Sequence, residues 1–533
     1  MRSNHARLFL AVAVFFAGRC LADDTFDVHE FSWMAGVEYA NPYLETSLVC
    51  AFTGPSSSEQ VVLRVPGFWD GGDTWRCRVA PTVPGEWTYE TASPDPGLDG
   101  LSGAFTVSDG VSPGFIQRRG GHDWQRSTGE PLFLMGDTCW RCLNTLRYSD
   151  ADFSAYIAAR SGQRFNLIRG YVMSQFRSTG DDTNDGGTAY SSPDIPDPLY
   201  WREVDRRIAE ANAAGITWSL VVGGDGSATY EAYFNTHARR ERYLSMLIAR
   251  YAAYNIIWDG VAEGQEHADY QNLISSLGRY LEAHDPYDHP RGQHPAEPPG
   301  DSKDWLGESW LEYISYQGNV SNRQLIDDRV FELPLVHEEY CYEFACYKEQ
   351  SSSHNCSSEQ TREKTWRVAM AGAYPVGGHV GSYTGGSRPF AACSLADEGI
   401  DDFRHLYDLF TTLPLDEMTP DNALTDHDGF VYRKPDEIYV IYQDEDFVLD
   451  FTVDLSEAAG TFEVRWLNPR TGAWEQDAPV VGGSSQVIFS RPDSEDWALV
   501  LSRPEAFPPS LESRRGRLNV RRARPDSRPA PRR

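Results

Sequence analysis

The pattern of apolar and polar positions changes character twice along the chain. From residue 24 to about 108, short alternating segments rich in β-branched and aromatic residues (46–52, 60–65, 74–79, 85–91 and 103–107) are separated by Gly, Pro and Asp turns. That spacing predicts a β-sandwich over residues 24–110. Gly67-Phe68-Trp69-Asp70-Gly71 and Pro84-Gly85-Glu86-Trp87-Thr88-Tyr89 put aromatics beside turns. Packing of a small sandwich accounts for them, with a sugar-binding platform as the alternative. From residue 114 the rhythm becomes strand then helix. Strand-like apolar runs fall at 131–137, 165–172, 216–222, 255–261, 291–294, 311–316, 333–337 and within 378–383. Helical spacing falls at 149–161, 201–214, 239–254, 269–283, 321–328, 361–373 and 401–412. Eight such units in about 300 residues predict a (β/α)8 TIM barrel over 114–414. After Pro414 the alternating pattern returns at 429–434, 437–442, 447–453, 460–468 and 497–501, a second sandwich over 420–502 with Asn468-Pro469-Arg470-Thr471-Gly472 as a tight turn. The expected fold is therefore α/β: a barrel flanked by N-terminal and C-terminal β-sandwiches.

The ends of the chain differ from this folded body. Residues 1–22 read as a signal peptide: Arg2, His5 and Arg7 precede an apolar run at 8–17, and Ala22 offers a cleavage site before Asp23. The run is too short for a stable membrane span, and no later stretch is long and apolar enough to cross a bilayer. The Pro- and Arg-rich segment 503–533 has little to bury and is expected to be a disordered tail. The product is expected to be secreted or periplasmic. Loss of the leader removes Cys20 and leaves eight cysteines, an even number that favours disulfides in an exported chain. Cys50 with Cys77, on adjacent strands, and Cys346 with Cys356, across a polar loop, are the expected pairs. Cys139 and Cys142 form a lone Cys-x-x-Cys, read as a structural disulfide. A net charge of −30 repels nucleic acids and anionic membranes, so neither is an expected partner.

The candidate chemistry sits at two strand ends. Asn255-Ile256-Ile257-Trp258-Asp259-Gly260-Val261-Ala262-Glu263 and Pro334-Leu335-Val336-His337-Glu338-Glu339 are apolar segments that finish in carboxylates. The strand count carries Glu263 and Glu339 to the ends of strands four and seven, at the mouth where such barrels place their sites. Two facing carboxylates there suit glycosidic bond cleavage, one attacking and one giving and taking a proton. Glu338 competes with Glu339, and Asp259 or Glu266 with Glu263. Leu335, His337 and Glu339 are expected to share one strand face. Arg169 at the end of strand two is expected to keep the attacking carboxylate ionised, and Tyr316 at the end of strand six to donate to it. Asp137, Trp140 and Asp225 follow strands one and three and are candidate sugar contacts, Asp137 serving equally as a cap. Trp258, His294 and His337 complete the candidate substrate-binding set. The segment His284-Asp285-Pro286-Tyr287-Asp288-His289 with His294 has metal-ligand residue types but neither the helical His spacing nor the freedom from proline of a zinc site. No phosphate loop or serine-nucleophile elbow is present. This chemistry needs no metal or organic cofactor.

These residues resemble the apiosidase-like glycoside hydrolases. The barrel is similar through Phe133-Leu134-Met135-Gly136-Asp137-Thr138-Cys139-Trp140, Arg164-Phe165-Asn166-Leu167-Ile168 and Asn255-Ile256-Ile257-Trp258. The leading sandwich resembles the immunoglobulin-like domain that often precedes such barrels, through Tyr39-Ala40-Asn41-Pro42-Tyr43 and the two aromatic turns. The last resembles a module labelled collagen-binding, through Trp466-Leu467-Asn468-Pro469-Arg470-Thr471-Gly472. The resemblance implies a retaining hydrolase of a polysaccharide or oligosaccharide, with an acid/base after strand four and a nucleophilic Glu after strand seven. Glu339 in Glu339-Tyr340-Cys341-Tyr342-Glu343 matches the family's Glu-x-x-Tyr-Glu pattern. Glu263 falls at the acid/base position, where Val261-Ala262-Glu263 departs from the expected Gly-Gly-Asp. The alternative is a carbohydrate-binding or adhesion protein on a barrel that has lost its activity.

Overall fold

The computed structural model describes residues 23–55, 60–173, 183–224, 230–296, 300–344, 355–383, 389–427, 429–444, 449–504 and 506. The expected leader, most of the expected tail, Asp225 and Cys346 lie outside the described residues.

Eight parallel strands form the central curled sheet: β1 (Gly136–Thr138), β2 (Leu167–Tyr171), β3 (Thr217–Gly223), β4 (Ile256–Val261), β5 (Arg291–Gly292), β6 (Ile314–Gln317), β7 (Leu335–Glu343) and β8 (Tyr374–His379). They neighbour one another in cyclic order, with β8 pairing back onto β1, so seven of the eight neighbouring pairs are hydrogen-bonded ladders. Between β5 and β6 a single backbone bond, Glu312 N to Arg291 O at 3.0 Å, spans the remaining gap. The result is a TIM-barrel-like fold. Seven helices follow the strands: α1 (Asp150–Gly162), α2 (Pro198–Ala213), α3 (His237–Tyr251), α4 (Tyr270–His284), α5 (Asn322–Asp328), α6 (Ser358–Met370) and α7 (Glu398–Phe410). β5 is followed only by the turn Lys303–Trp305. The helix starts are written in the sequence. Ser149 and Ser357 each accept from the backbone of the residue three places on, while Asp152 and Gln360 bond back, closing a capping box. The segment 131–137 divides: Pro131–Leu132 joins a small antiparallel sheet with Ile116–Gly120 and Asp123–Arg126, and only Gly136–Thr138 enters the barrel.

The N-terminal β domain has a five-stranded and a three-stranded sheet. Cys50 is bonded to Cys77 as expected, although the two strands belong to different sheets and the bond joins the layers. Buried ion pairs fasten this domain to α2 and α3: Arg78 and Arg250 each reach Asp205 Oδ2 at 2.7 Å. The C-terminal β domain packs a six-stranded sheet against a two-stranded antiparallel sheet of Asp450–Val453 and Val487–Ser490. Its inner face, with Ile438, Val440, Tyr442, Ala498 and Val500, shares one apolar core with Trp366 of α6 and Leu406, Leu409 and Phe410 of α7. Cys139 is bonded to Cys142. Cys356 is bonded to Cys341 rather than to the expected Cys346, because β7 runs on past residue 341 and pairs directly with Asn355–Cys356. Among the described residues no helix is long and apolar enough to cross a membrane.

Candidate active site

β7 carries the centre of the site. Its pairing with β8 shifts between Glu338, beside Val376, and Tyr342, beside Gly378, so four steps along β7 match two along β8. The surplus is taken up in a bulge where Glu339 has φ 50°, a left-handed conformation uncommon for a side chain of this size. The bulge breaks the alternation of the strand. Glu338 and Glu339, neighbours that a regular strand would send to opposite faces, both reach the same buried cluster.

Glu339 is bonded at both oxygens. Trp140 Nε1 donates to Oε1 at 2.9 Å, and the Tyr342 hydroxyl donates to the same oxygen. Gln317 Nε2 donates to Oε2 at 3.0 Å, and His294 Nε2 lies 3.0 Å from that oxygen. Burial pushes the carboxyl's pKa up, but His294, Arg169 and Tyr342 outweigh it and hold it down at about 2. Beneath it, Arg169 Nε reaches Asp259 Oδ2 at 2.9 Å and Glu338 Oε2 at 3.5 Å, and its guanidinium stacks 4.4 Å from the Trp140 ring. Burial opposes the arginine's charge, and Glu338, Asp259 and Glu339 more than offset it. His294 Nδ1 lies 3.2 Å from Glu338 Oε2. Burial and Arg169 work against a charged His294, yet its two carboxylate partners raise its pKa above the ordinary value. Burial raises Glu338, with Arg169 opposing. Three carboxylates thus face two basic groups.

Glu263 follows β4 and opens the turn Gly264–Glu266, also with positive φ, 50°. The end of β4 is tied to the end of β5 by Gln293 Nε2, which donates to Val261 O and, at 2.6 Å, to His294 O. Half-buried Glu263 has its pKa raised, chiefly by burial, with His294 opposing and Glu266 and Glu339 adding to it. The Gln317 side chain also works against the rise at Glu263. Trp140 stacks on Tyr171 at 4.6 Å in an apolar group with Val221, Ala262 and Tyr383.

Of the residues named from sequence, Glu263, Glu339, Trp140, Arg169 and His294 come together, joined by both competitors Glu338 and Asp259. Glu266 is exposed. Asp137 is fully buried, bonded to Tyr156 OH at 2.6 Å and to Arg160 Nε, and lies in the layer under α1. Trp258 points out of the barrel and donates to Asp285 at 2.7 Å. Tyr316 also faces outward, its hydroxyl on Asp328 at 2.9 Å; strand alternation gives the inward place to Gln317. His337 does not share a face with Glu339: its Nε2 lies 2.9 Å from Gly318 O, outside the cluster. Asp225 lies outside the described residues. Gln317 and Tyr342 escaped the sequence reading. The period-two rule applied from Tyr316 points to the first, and the Glu-x-x-Tyr-Glu motif contains the second.

The curled sheet, the flanking β domains and the carboxylate cluster at the carboxyl ends of the strands define a TIM-barrel-like fold of the glycoside hydrolase kind. Residues 119–384 match the model described as "Apiosidase-like, catalytic domain", and residues 24–94 match a domain of unknown function, DUF5060. The chain belongs to the apiosidase-like family. Among solved structures it is similar to a putative glycoside hydrolase from Bacteroides vulgatus, at 19% identity over 90% of this chain and 99% of that one, with a TM-score of 0.76. It is also similar to a glycoside hydrolase family 5 protein from the same organism, at 18% identity over 73% and 93% of the two chains, TM-score 0.63. No curated protein matches it.

Proposed function

We propose that the protein is an exported retaining glycoside hydrolase acting on a polysaccharide or oligosaccharide, its eight strands working as one (β/α)8 barrel. The carrying observation is the Glu339 carboxylate, bonded by Trp140, Tyr342 and Gln317 beside His294 and held at about 2, while Glu263, after β4, is raised above its ordinary value. Environments that push two carboxyls apart assign their roles. Glu339, ionised, attacks the anomeric carbon. Glu263, protonated, gives its proton to the departing oxygen, then takes one from the water that releases the sugar from Glu339. Trp140, Arg169, His294, Gln317 and Tyr342 hold Glu339 in its charged form and fixed orientation, and the Trp140, Tyr171 and Tyr383 rings offer faces for a sugar. The charged and apolar pattern of residues 1–22 and the disulfides support export.

The test is a screen of the parent and its Glu339→Gln variant against polysaccharides and oligosaccharides, reading released reducing sugar, with the anomer of the first product followed by proton NMR. Release by the parent alone with the configuration kept is the expected result. Release with inversion removes the nucleophile role, and silence from both proteins, with binding to a glycan retained, replaces the hydrolase by a binding protein.

A further inference from the structure

A second cavity, of about 770 Å³, lies away from the carboxylate cluster, where the loop after β6, α5 and α6 meet the C-terminal β domain. Its size is that of sites that enclose small organic ligands. Its lining is unlike the rest of this acidic chain: Arg323, Lys364, Arg367, His337 and His427 contribute to it, and among the described residues no Asp or Glu does. Arg367 is held by Asp444 and Arg323 by Asp327. Lys364, half-buried on α6, forms no ion pair with a described residue, and burial together with Arg367 lowers its pKa. A partly desolvated cation without a counterion among the described residues is an arrangement that a bound anion relieves.

His337 supplies an independent sign of a ligand. It is 2% exposed, it lines the cavity, and its Nδ1 has no hydrogen-bond partner among the described residues. Burial pushes the imidazole's pKa down to about 4, so it is neutral at pH 7. With Nε2 carrying the hydrogen toward Gly318 O, Nδ1 presents a lone pair. A buried acceptor calls for a donor such as a hydroxyl. Phe430, Val320 and Val368 give the same cavity apolar wall.

We propose that this cavity is a second carbohydrate site, selective for a sugar unit that carries a carboxylate: the carboxylate pairs with Lys364, a ring hydroxyl donates to His337 Nδ1, and an apolar sugar face lies against the wall. Inorganic phosphate meets the cation but offers no such face, and the chain's overall negative charge works against polyanions. The proposal does not rest on the hydrolase reading and survives a negative result in the hydrolysis screen.

The experiment is calorimetric titration of the full chain bearing Glu339→Gln, at low salt, with glucuronate-, galacturonate- and mannuronate-bearing disaccharides, each beside its neutral hexose counterpart, and with inorganic phosphate. The expected result is that at least one uronate disaccharide binds, that its neutral counterpart binds about tenfold more weakly, and that adding Lys364→Gln removes the difference. An unchanged melting temperature shows that the substitution leaves the fold intact. Absence of binding by every uronate, binding that Lys364→Gln leaves unchanged, or phosphate binding as tightly as the sugars overturns the proposal.

Discussion

Replacing Tyr342 by Phe removes one of the two donors on Glu339 Oε1 and keeps the ring packed edge-on against Tyr383 at 4.9 Å. A hydrogen bond to a charged group contributes about 1.5–3 kcal/mol, and each pH unit of displacement corresponds to about 1.4 kcal/mol. The lost donor therefore lets the Glu339 carboxyl rise by about one to two pH units, from about 2 toward roughly 3 to 4. The full depression, from 4.5 to about 2, is worth about 3 kcal/mol, so one donor among four partners stays within it. The sign follows from the direction. A carboxyl depressed by folding adds stability that is present above its unfolded pKa and is lost as pH falls through its folded pKa. In the parent that loss runs down to about pH 2, and in the variant it is complete at higher pH. The assay is kcat/KM against pH on the substrate found by the screen, since its limbs report the free enzyme, with melting temperature against pH as a substrate-independent companion. The acid limb is expected to move up while the alkaline limb, set by Glu263, stays. An acid limb that does not move, or an alkaline limb that moves with it, refutes the assignment of Glu339 as the ionised partner.

Glu263→Gln is expected to abolish the alkaline limb and to lower kcat by about 10²- to 10⁴-fold on substrates with poor leaving groups, and by much less on activated aryl glycosides; equal losses on both would remove the proton-transfer role. Tyr316→Phe is expected to leave kcat/KM within a fewfold of the parent, because the hydroxyl serves Asp328; a large loss would place Tyr316 in the cleft after all. Arg160→Met leaves Asp137 buried with only Tyr156 as partner. Chemical denaturation should show a loss of about 3–5 kcal/mol, with kcat of the folded fraction unchanged. His294, raised by its carboxylate partners, contributes stability fully present below pH 6.5 and lost as pH rises through its folded pKa; a melting temperature that His294→Gln leaves equally pH-dependent above 6.5 would show that another group governs that range.

The barrel rhythm was readable because its strands are short apolar runs between amphipathic helices, and Thr217–Gly223 and Ile256–Val261 fall within a residue or so of their expected positions. Glu263 and Glu339 were readable as acids that end such runs. What the period-two rule hid was the orientation around them. It assumes an unbroken strand, and it put His337 on the face of Glu339; His337 and Glu338 alternate as the rule says, and the bulge then turns Glu339 to the face Glu338 already occupies. Bulges depend on backbone strain compensated by tertiary contacts, and apart from Tyr342 the partners of Glu339 come from β6 and the segments after β1 and β5, which no local window contains. Tyr316 failed for a simpler reason. A one-residue error in where a strand begins exchanges inward and outward faces, and Gln317 was its neighbour. The expected Cys346–Cys356 pair rested on loop length alone and could not anticipate that β7 extends to Glu343 and aligns with Asn355–Cys356.

The region that matches the catalytic family ends at residue 384, but the cohesive unit extends further. Glu343, at the last residue of β7, accepts from the backbone of Gly399 and Ile400 at the start of α7. Trp366 stacks on Tyr442 at 4.9 Å, and Arg362 joins Asp402 to Asp496. A fragment cut at 384 would lose the helix that anchors the strand carrying Glu339 and uncover a large apolar face. The smallest transplantable form of the barrel therefore includes the C-terminal β domain through Ser502, and exchange of catalytic segments between relatives should be cut after that strand.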